Sequence, residues 1–67
     1  MLRIEVEREE DGRWFGEVLE LPGVMAYGVT EDAARRNTEA LALRVVAERI
    51  EHGEPVPPAV DELFAAA

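Results

Sequence analysis

The sequence predicts a small α+β domain, with a three-stranded antiparallel meander followed by one long helix packed on one sheet face. Three observations lead to this fold class. Residues 2–9 alternate between apolar and polar side chains, which is the period of a half-buried strand. Two turn-forming segments, at residues 10–12 and 21–24, mark the starts of two further extended stretches. After Thr30 the chain is rich in Ala, Leu, Arg and Glu, which favour helix.

Residues 2–9 and 13–20 are predicted to pair as a hairpin. A two-residue turn at Asp11-Gly12 would place acidic side chains beside apolar ones across the pair. A three-residue loop with Gly12 in the left-handed conformation shifts the register by one residue and gathers the apolar side chains on one face. The second register is therefore the prediction.

The preferred register, continued across the second turn, assigns each strand residue to a face. We expect the face toward the helix to carry Leu2, Ile4, Val6, Trp14, Gly16, Val18, Met25, Tyr27 and Val29. We expect the opposite face to carry Arg3, Glu5, Glu7, Glu9, Phe15, Glu17, Leu19 and Ala26. Apolar side chains rimmed by charge are typical of a contact surface. The alternative is a solvated sheet face that tolerates Phe15 and Leu19.

The segment from Leu21 to Val24 is predicted to be a type II turn. Pro22 presets φ for the first central position, and Gly23 supplies the positive φ that the second position requires. A short strand is then expected over residues 24–29. Gly28 lies near the end of this strand, shortly before the predicted start of the helix, and we count it among the structurally important glycines of the chain.

The long helix is predicted over residues 31–51, with Thr30 as its N-cap and Gly53 as its C′ residue. One apolar stripe is suited to cover the sheet: Ala34, Thr38, Leu41 and Val45. A second cluster is rotated well away from it: Leu43, Val46, Ala47 and Ile50. Because one sheet cannot bury both sides of a helix, this cluster must meet the C-terminal tail or another subunit. We favour a subunit, which predicts a homodimer or a higher homo-oligomer.

The chain is expected to form a single domain over residues 1–67, with a core over 1–53 and a proline-rich tail over 54–67. The prolines predict an extended run, because proline can neither continue a helix nor join a central strand. Residues 60–64 are expected to form one helical turn that docks Leu63 and Phe64 on the body.

Composition narrows the classes of site. The chain has 67 residues, no cysteine and one histidine, so we expect no disulfide, no metal site and no cofactor. Its net charge of −8 argues against direct nucleic-acid binding and suits a basic protein partner. With no membrane-spanning stretch and no leader pattern at the N-terminus, we expect a cytoplasmic protein.

In their order and spacing, the motifs of this chain resemble the HicB-like antitoxin family. The matching positions are Asp11, Gly12, Glu20, Leu21, Pro22, Gly23, Gly28, Thr30, Asp32, Ala34, Asn37, Ala40 and residues 53–57. The resemblance implies a core like a truncated ribonuclease H fold, which binds a small basic ribonuclease of the HicA type and forms dimers. Family members commonly carry a separate DNA-binding segment, for which residues 59–67 leave no room, so no direct DNA contact is expected.

These expectations define a non-catalytic protein-binding domain. The residues expected to contact the partner are Glu5, Glu7, Phe15, Glu17 and Leu19. One alternative is an orphan dimeric module without a toxin partner. A lower alternative is a remnant of a metal-dependent nuclease, because Glu5, Glu7 and Glu17 share a face in the preferred register and two-metal chemistry needs clustered carboxylates. Acids on the outer face of an acidic chain are nevertheless ordinary.

Overall fold

A computed structural model describes all 67 residues and contains three strands and two helices. The elements are β1 (Ile4–Arg8), β2 (Trp14–Val18), β3 (Met25–Gly28), α1 (Glu31–Glu51) and α2 (Pro58–Asp61). The strands form one antiparallel sheet in the order β1-β2-β3, and α1 packs against all three of them. This confirms the predicted fold class. Neither helix is long and apolar enough to cross a membrane.

The loop between β1 and β2 has the predicted three-residue form. The Glu9 N–H donates to the Arg13 carbonyl at 2.7 Å, and the Gly12 N–H donates to the Glu9 carbonyl at 3.0 Å. Gly12 has a φ of 90°, which a side chain would disfavour. As a result Ile4 lies opposite Val18, and the predicted register of the first hairpin is confirmed.

The predicted faces of the third strand are wrong. Gly16 pairs with Ala26, whereas Phe15 pairs with Tyr27, so Ala26 lies on the helix side and Tyr27 on the opposite face. Met25 also lies on that opposite face, and Val29, beyond the strand end, is exposed instead of buried under the helix.

The length of the connection between β2 and β3 explains this correction. Two successive turns close it: the Leu21 N–H donates to the Val18 carbonyl at 3.1 Å, and the Val24 N–H donates to the Leu21 carbonyl at 3.0 Å. Gly23 has the expected positive φ of 89°. Val18 and Val24 thereby face each other, joined by a bond of 3.0 Å from the Val18 N–H to the Val24 carbonyl. Because the loop between the two paired valines has an odd number of residues, both valines lie on the helix side of the sheet. Each following residue of β3 therefore lies on the face opposite to the predicted one.

Close packing of the helix requires small residues on this side of β3. A Cβ atom on Gly28 would overlap the backbone of Ala34 and lie 2.6 Å from the carbonyl carbon of Ala33. Only a residue without a side chain permits the first turn of α1 to approach the sheet this closely.

Both ends of α1 are capped as predicted. The Thr30 side-chain oxygen accepts a bond of 3.0 Å from the Ala33 N–H. At the other end Gly53 has a φ of 70°, and the Glu54 N–H donates to the Arg49 carbonyl at 2.8 Å. This pattern is a Schellman motif, which satisfies carbonyls that the helix end leaves free.

Val46, which was predicted to lie in a dimer interface, packs in the core of the domain. The buried helix positions recur every fourth residue: Ala34, Thr38, Ala42 and Val46. Val46 is 6% exposed and packs in one cluster with Val18, Leu21, Val24, Ala42 and Val60. Leu41 and Val45, predicted to cover the sheet, pack partly buried at the margin of this cluster.

The tail docks through a residue other than those predicted. The helical turn begins at Pro58, because proline suits the first position of a helix, and it places Val60 in the core. Leu63 and Phe64 follow the end of this short helix and remain exposed, Phe64 to 83%. Their predicted docking on the body is therefore wrong.

Candidate protein-binding site

The sheet face that α1 leaves uncovered is the candidate binding surface, here called the outer face. The strand register brings together four of the five predicted contact residues on this face. The fifth, Leu19, directly follows the end of β2 and is exposed. Its N–H donates to the Arg3 carbonyl at 3.0 Å. The corrected β3 adds two more side chains. The strand residues of the outer face are Glu5, Glu7, Phe15, Glu17, Met25 and Tyr27.

Three carboxylates on the outer face have no cationic partner. Glu5 lies directly opposite Glu17, and Glu7 lies opposite Phe15. The chain forms five ion pairs: Met1 N-terminus–Glu62, Arg3–Glu20, Arg13–Asp11, Arg35–Asp32 and Arg36–Glu39. None includes an outer-face glutamate. The outer face therefore carries negative charge that no ion pair compensates. Like charges directly opposite each other on adjacent strands, as at Glu5 and Glu17, are destabilising.

The arginines nearest to the outer face are bound to acids at the strand ends. The Glu20 carboxylate accepts from the Arg3 backbone N–H at 2.8 Å and from its Nε at 2.6 Å. These bonds hold the pKa of Glu20 below its ordinary range, and the bond from the Arg3 backbone N–H has the larger effect. The Asp11 carboxylate likewise accepts bonds from the backbone N–H and the Nε of Arg13. The pKa of Asp11 is lowered as a result, chiefly by the bond from the backbone N–H.

Two aromatic rings occupy the middle of the outer face. The centroids of Phe15 and Tyr27 lie 6.0 Å apart with an interplanar angle of 40°, which is a favourable tilted arrangement. The Arg13 guanidinium lies 4.4 Å from the centroid of the Tyr27 ring. Tyr27 is 46% exposed, so part of its side chain remains accessible beside Arg13.

Sequence reasoning missed Tyr27 and Met25 as outer-face residues because it placed β3 in the wrong orientation. The signal that would have corrected it is the pair of small residues Ala26 and Gly28. Small side chains at alternate positions mark the side of a strand that a helix approaches closely. Tyr27 and Met25 then fall on the opposite face.

The carboxylates do not form a metal site. Glu5, Glu7 and Glu17 share a face, as predicted, but no group of three or more His, Asp or Glu side chains is placed to hold a metal ion. The arrangement required by the metal-dependent nuclease alternative is therefore not assembled, and this alternative has no geometric support.

A second exposed surface lies between the C-terminal half of α1 and the tail, here called the apolar groove. Its volume is about 360 Å³, and only one of its lining residues is charged. Leu43 is 61% exposed and Ile50 is 56% exposed, in keeping with their predicted availability to a subunit. The lining residues are Leu43, Val46, Ala47, Ile50, Val60, Asp61, Leu63 and Phe64.

Comparison of the chain with protein-family models, with curated proteins and with solved structures finds no significant match. Function is therefore inferred from the geometry of the outer face and the apolar groove, together with the sequence motifs.

Proposed function

We propose that this chain is a non-catalytic protein-binding domain of the HicB antitoxin type. Its partner would be a small basic ribonuclease of the HicA type, bound by direct contact in the cytoplasm. The observation that supports this proposal is the set of three unpaired carboxylates, Glu5, Glu7 and Glu17, beside the aromatic pair in which Tyr27 is exposed and Phe15 is half-buried. The resemblance of the sequence motifs supplies the class of partner.

Charge and aromatic contact have separate tasks in such a complex. The net charge of −8 speeds encounter with a basic protein, and this contribution weakens as salt screens it. Buried aromatic side chains at the centre of an interface commonly carry most of its binding energy. Phe15 and Tyr27 have the position for that role, with the glutamates around them.

Co-expression with the protein encoded next to this chain tests the proposal. We expect the two proteins to co-purify at low salt and to separate as salt rises. Phe15→Ala and Glu7→Lys should each weaken retention. Glu10→Lys is the matched control, because it makes the same charge change in the exposed β1–β2 loop. Failure of the neighbouring protein to bind, or equal loss with Glu10→Lys, would contradict the proposal.

A second candidate is a homodimeric interaction module without a toxin partner, and the apolar groove favours self-association. A compact monomer of 7.4 kDa is expected to expose about 4,200 Å². This chain exposes 4990 Å². The chain therefore exposes about 800 Å² more than a compact monomer of its mass, and a second copy that covered the apolar groove would reduce this excess. We propose that Leu43, Ala47 and Ile50 contact a second copy, together with Leu63 and Phe64.

Light scattering after size-exclusion chromatography tests the dimer. We expect Ile50→Glu to convert a dimer into a monomer, because it places a charge in the apolar groove. Val29→Glu is the control, since Val29 is an exposed apolar residue outside the groove. A wild-type chain that is monomeric at all accessible concentrations would contradict the homodimer.

A further inference from the structure

The outer edge of β1 is an unpaired strand edge. The Leu19 N–H donates to the Arg3 carbonyl, and the Glu9 N–H donates to the Arg13 carbonyl, so odd-numbered residues of β1 direct their backbone groups toward β2. Paired and outward positions alternate along an antiparallel strand. The backbone N–H and carbonyl groups of Ile4, Val6 and Arg8 therefore point away from the sheet, and they make no hydrogen bond within the chain.

The opposite edge of the sheet differs. The Asn37 side-chain amide donates to the Tyr27 carbonyl at 2.8 Å and so occupies an outward-facing group of β3. The first turn of α1 also lies directly over this strand, where it contacts Gly28. One edge is thus partly covered by the helix, and the edge of β1 is open.

We propose that the β1 edge binds an extended, basic segment of the partner protein as a fourth strand of the sheet. Side chains of an added strand alternate between the two sheet faces. Those on the outer face would lie beside Glu5 and Glu7, which favour lysine or arginine. Those on the other face would lie beside Ile4 and Val6, which favour apolar residues. The inference deepens the proposed function, and it rests on the basic partner named there.

Charge disfavours a second copy of this chain on the same edge. If β1 of two copies paired over its whole length in a two-fold symmetric, antiparallel arrangement, Val6 would lie opposite Val6 of the second copy. Glu5 then lies opposite Glu7 of the copy, on both sides of the axis. Like charges directly opposite destabilise a strand pair, and glutamates on an edge are a usual guard against self-association. A strand of opposite charge meets no such barrier.

A synthetic peptide of alternating lysine and valine is a suitable probe, tested in two isomers. One isomer carries N-methyl groups on the valine amides and the other on the lysine amides, so that their charge and composition are identical. Only alternate amides of an added strand face β1, so N-methylation blocks the hydrogen bonds to β1 in only one of the two isomers. That isomer should bind at least about tenfold more weakly than the unmethylated peptide, while the other isomer should keep its affinity. Equal binding of both isomers, or no binding of the unmethylated peptide, would overturn the inference.

Amide hydrogen exchange locates the bound segment. On addition of the peptide, the amide protons of Ile4, Val6 and Arg8 should become protected, while that of Tyr27 should not. Val6→Pro should abolish binding, and Val6→Ala, which keeps the N–H, should retain it. Proline is tolerated at this position because the Val6 N–H makes no hydrogen bond in the sheet. Protection that grows with protein concentration in the absence of peptide would instead identify a second copy as the occupant.

The same exchange experiment separates this inference from the proposed function. If the neighbouring protein binds but leaves the amides of Ile4, Val6 and Arg8 unprotected, the strand inference is wrong and the antitoxin proposal stands. If the peptide binds at the edge but the neighbouring protein does not, the edge site stands and the antitoxin proposal fails.

Discussion

Glu5 on β1 lies directly opposite Glu17 on β2, on the sheet face that α1 leaves open. No arginine compensates the pair, because Arg3 and Arg13 are bound to Glu20 and Asp11. Because like charges directly opposite each other on adjacent strands repel, we expect the isolated chain to bear an electrostatic cost on this surface. A basic partner would remove that cost on binding, which relates the stability of the free domain to its proposed function.

Removal of one charge of this pair should stabilise the free domain. We expect Glu17→Gln to raise the free energy of unfolding by about 0.2–1 kcal/mol at low salt, the range of a cross-strand pair. The gain should shrink as salt rises. Urea denaturation measures it, and Glu10→Gln in the β1–β2 loop is the control for a general reduction of net charge. Equal gains from both variants would show that the Glu5–Glu17 relationship has no specific cost.

The close approach of α1 to β2 depends on Gly16. A Cβ atom at this position would lie 2.5 Å from the Thr38 side-chain oxygen, which is buried and donates to the Ala34 carbonyl at 2.7 Å. We expect Gly16→Ala to destabilise the domain by about 1–3 kcal/mol through overpacking. Adding Thr38→Ala should recover part of that loss, with a coupling energy of about 1 kcal/mol. Thermal denaturation of the single and double variants measures the coupling.

Thr30, which is not among the nearest residues that a Cβ atom on Gly16 would contact, provides the control for this cycle. Thr30→Ala should cost about 1 kcal/mol by itself, because it removes the side-chain acceptor of the Ala33 N–H. In combination with Gly16→Ala its effect should be additive. Additivity in the Gly16–Thr38 pair as well would mean that the predicted overlap is relieved by some other movement.

Acid should weaken the contact between Glu20 and Arg3. The pKa of Glu20 lies below its ordinary value of 4.5 because the Arg3 backbone N–H, and then its guanidinium, donate to the carboxylate. A lowered folded-state pKa gives stability that is present above the unfolded-state pKa and is lost as pH falls through the folded-state value. We expect Glu20→Gln to lower the melting temperature near neutral pH and to approach the wild type in acid.

Melting curves from about pH 7 to about pH 3 check this expectation over the range in which the carboxylate titrates. Glu10→Gln should follow the wild type throughout. A difference between Glu20→Gln and the wild type that stays constant with pH would indicate lost packing instead of lost charge.

The fold could be predicted because each element has its own local signal. Alternation marks β1, Gly12 fixes the first register, and Thr30 and Gly53 mark the ends of α1. The faces of β3 could not be predicted in this manner, since they depend on whether the preceding loop has an odd or an even number of residues. The docking of Val60 in place of Leu63 depends on tertiary packing, for which a four-residue helix carries no periodic pattern.

The candidate site was predictable to the extent that it lies on the first hairpin. Glu5, Glu7, Phe15 and Glu17 share the outer face because their register follows from a local turn. Tyr27 was missed with the rest of β3. The helix cluster was divided by the structure, since Val46 packs in the core while Leu43 and Ile50 remain exposed.

Inhibition of RNA cleavage by the neighbouring protein tests the central claim most directly. A fluorescent RNA substrate would be incubated with that protein, and this chain would be titrated in. We predict complete inhibition near equimolar addition, a strong loss of inhibition with Glu7→Lys, and retained inhibition with Glu10→Lys. Cleavage that continues at a large excess of the wild-type chain would contradict the account.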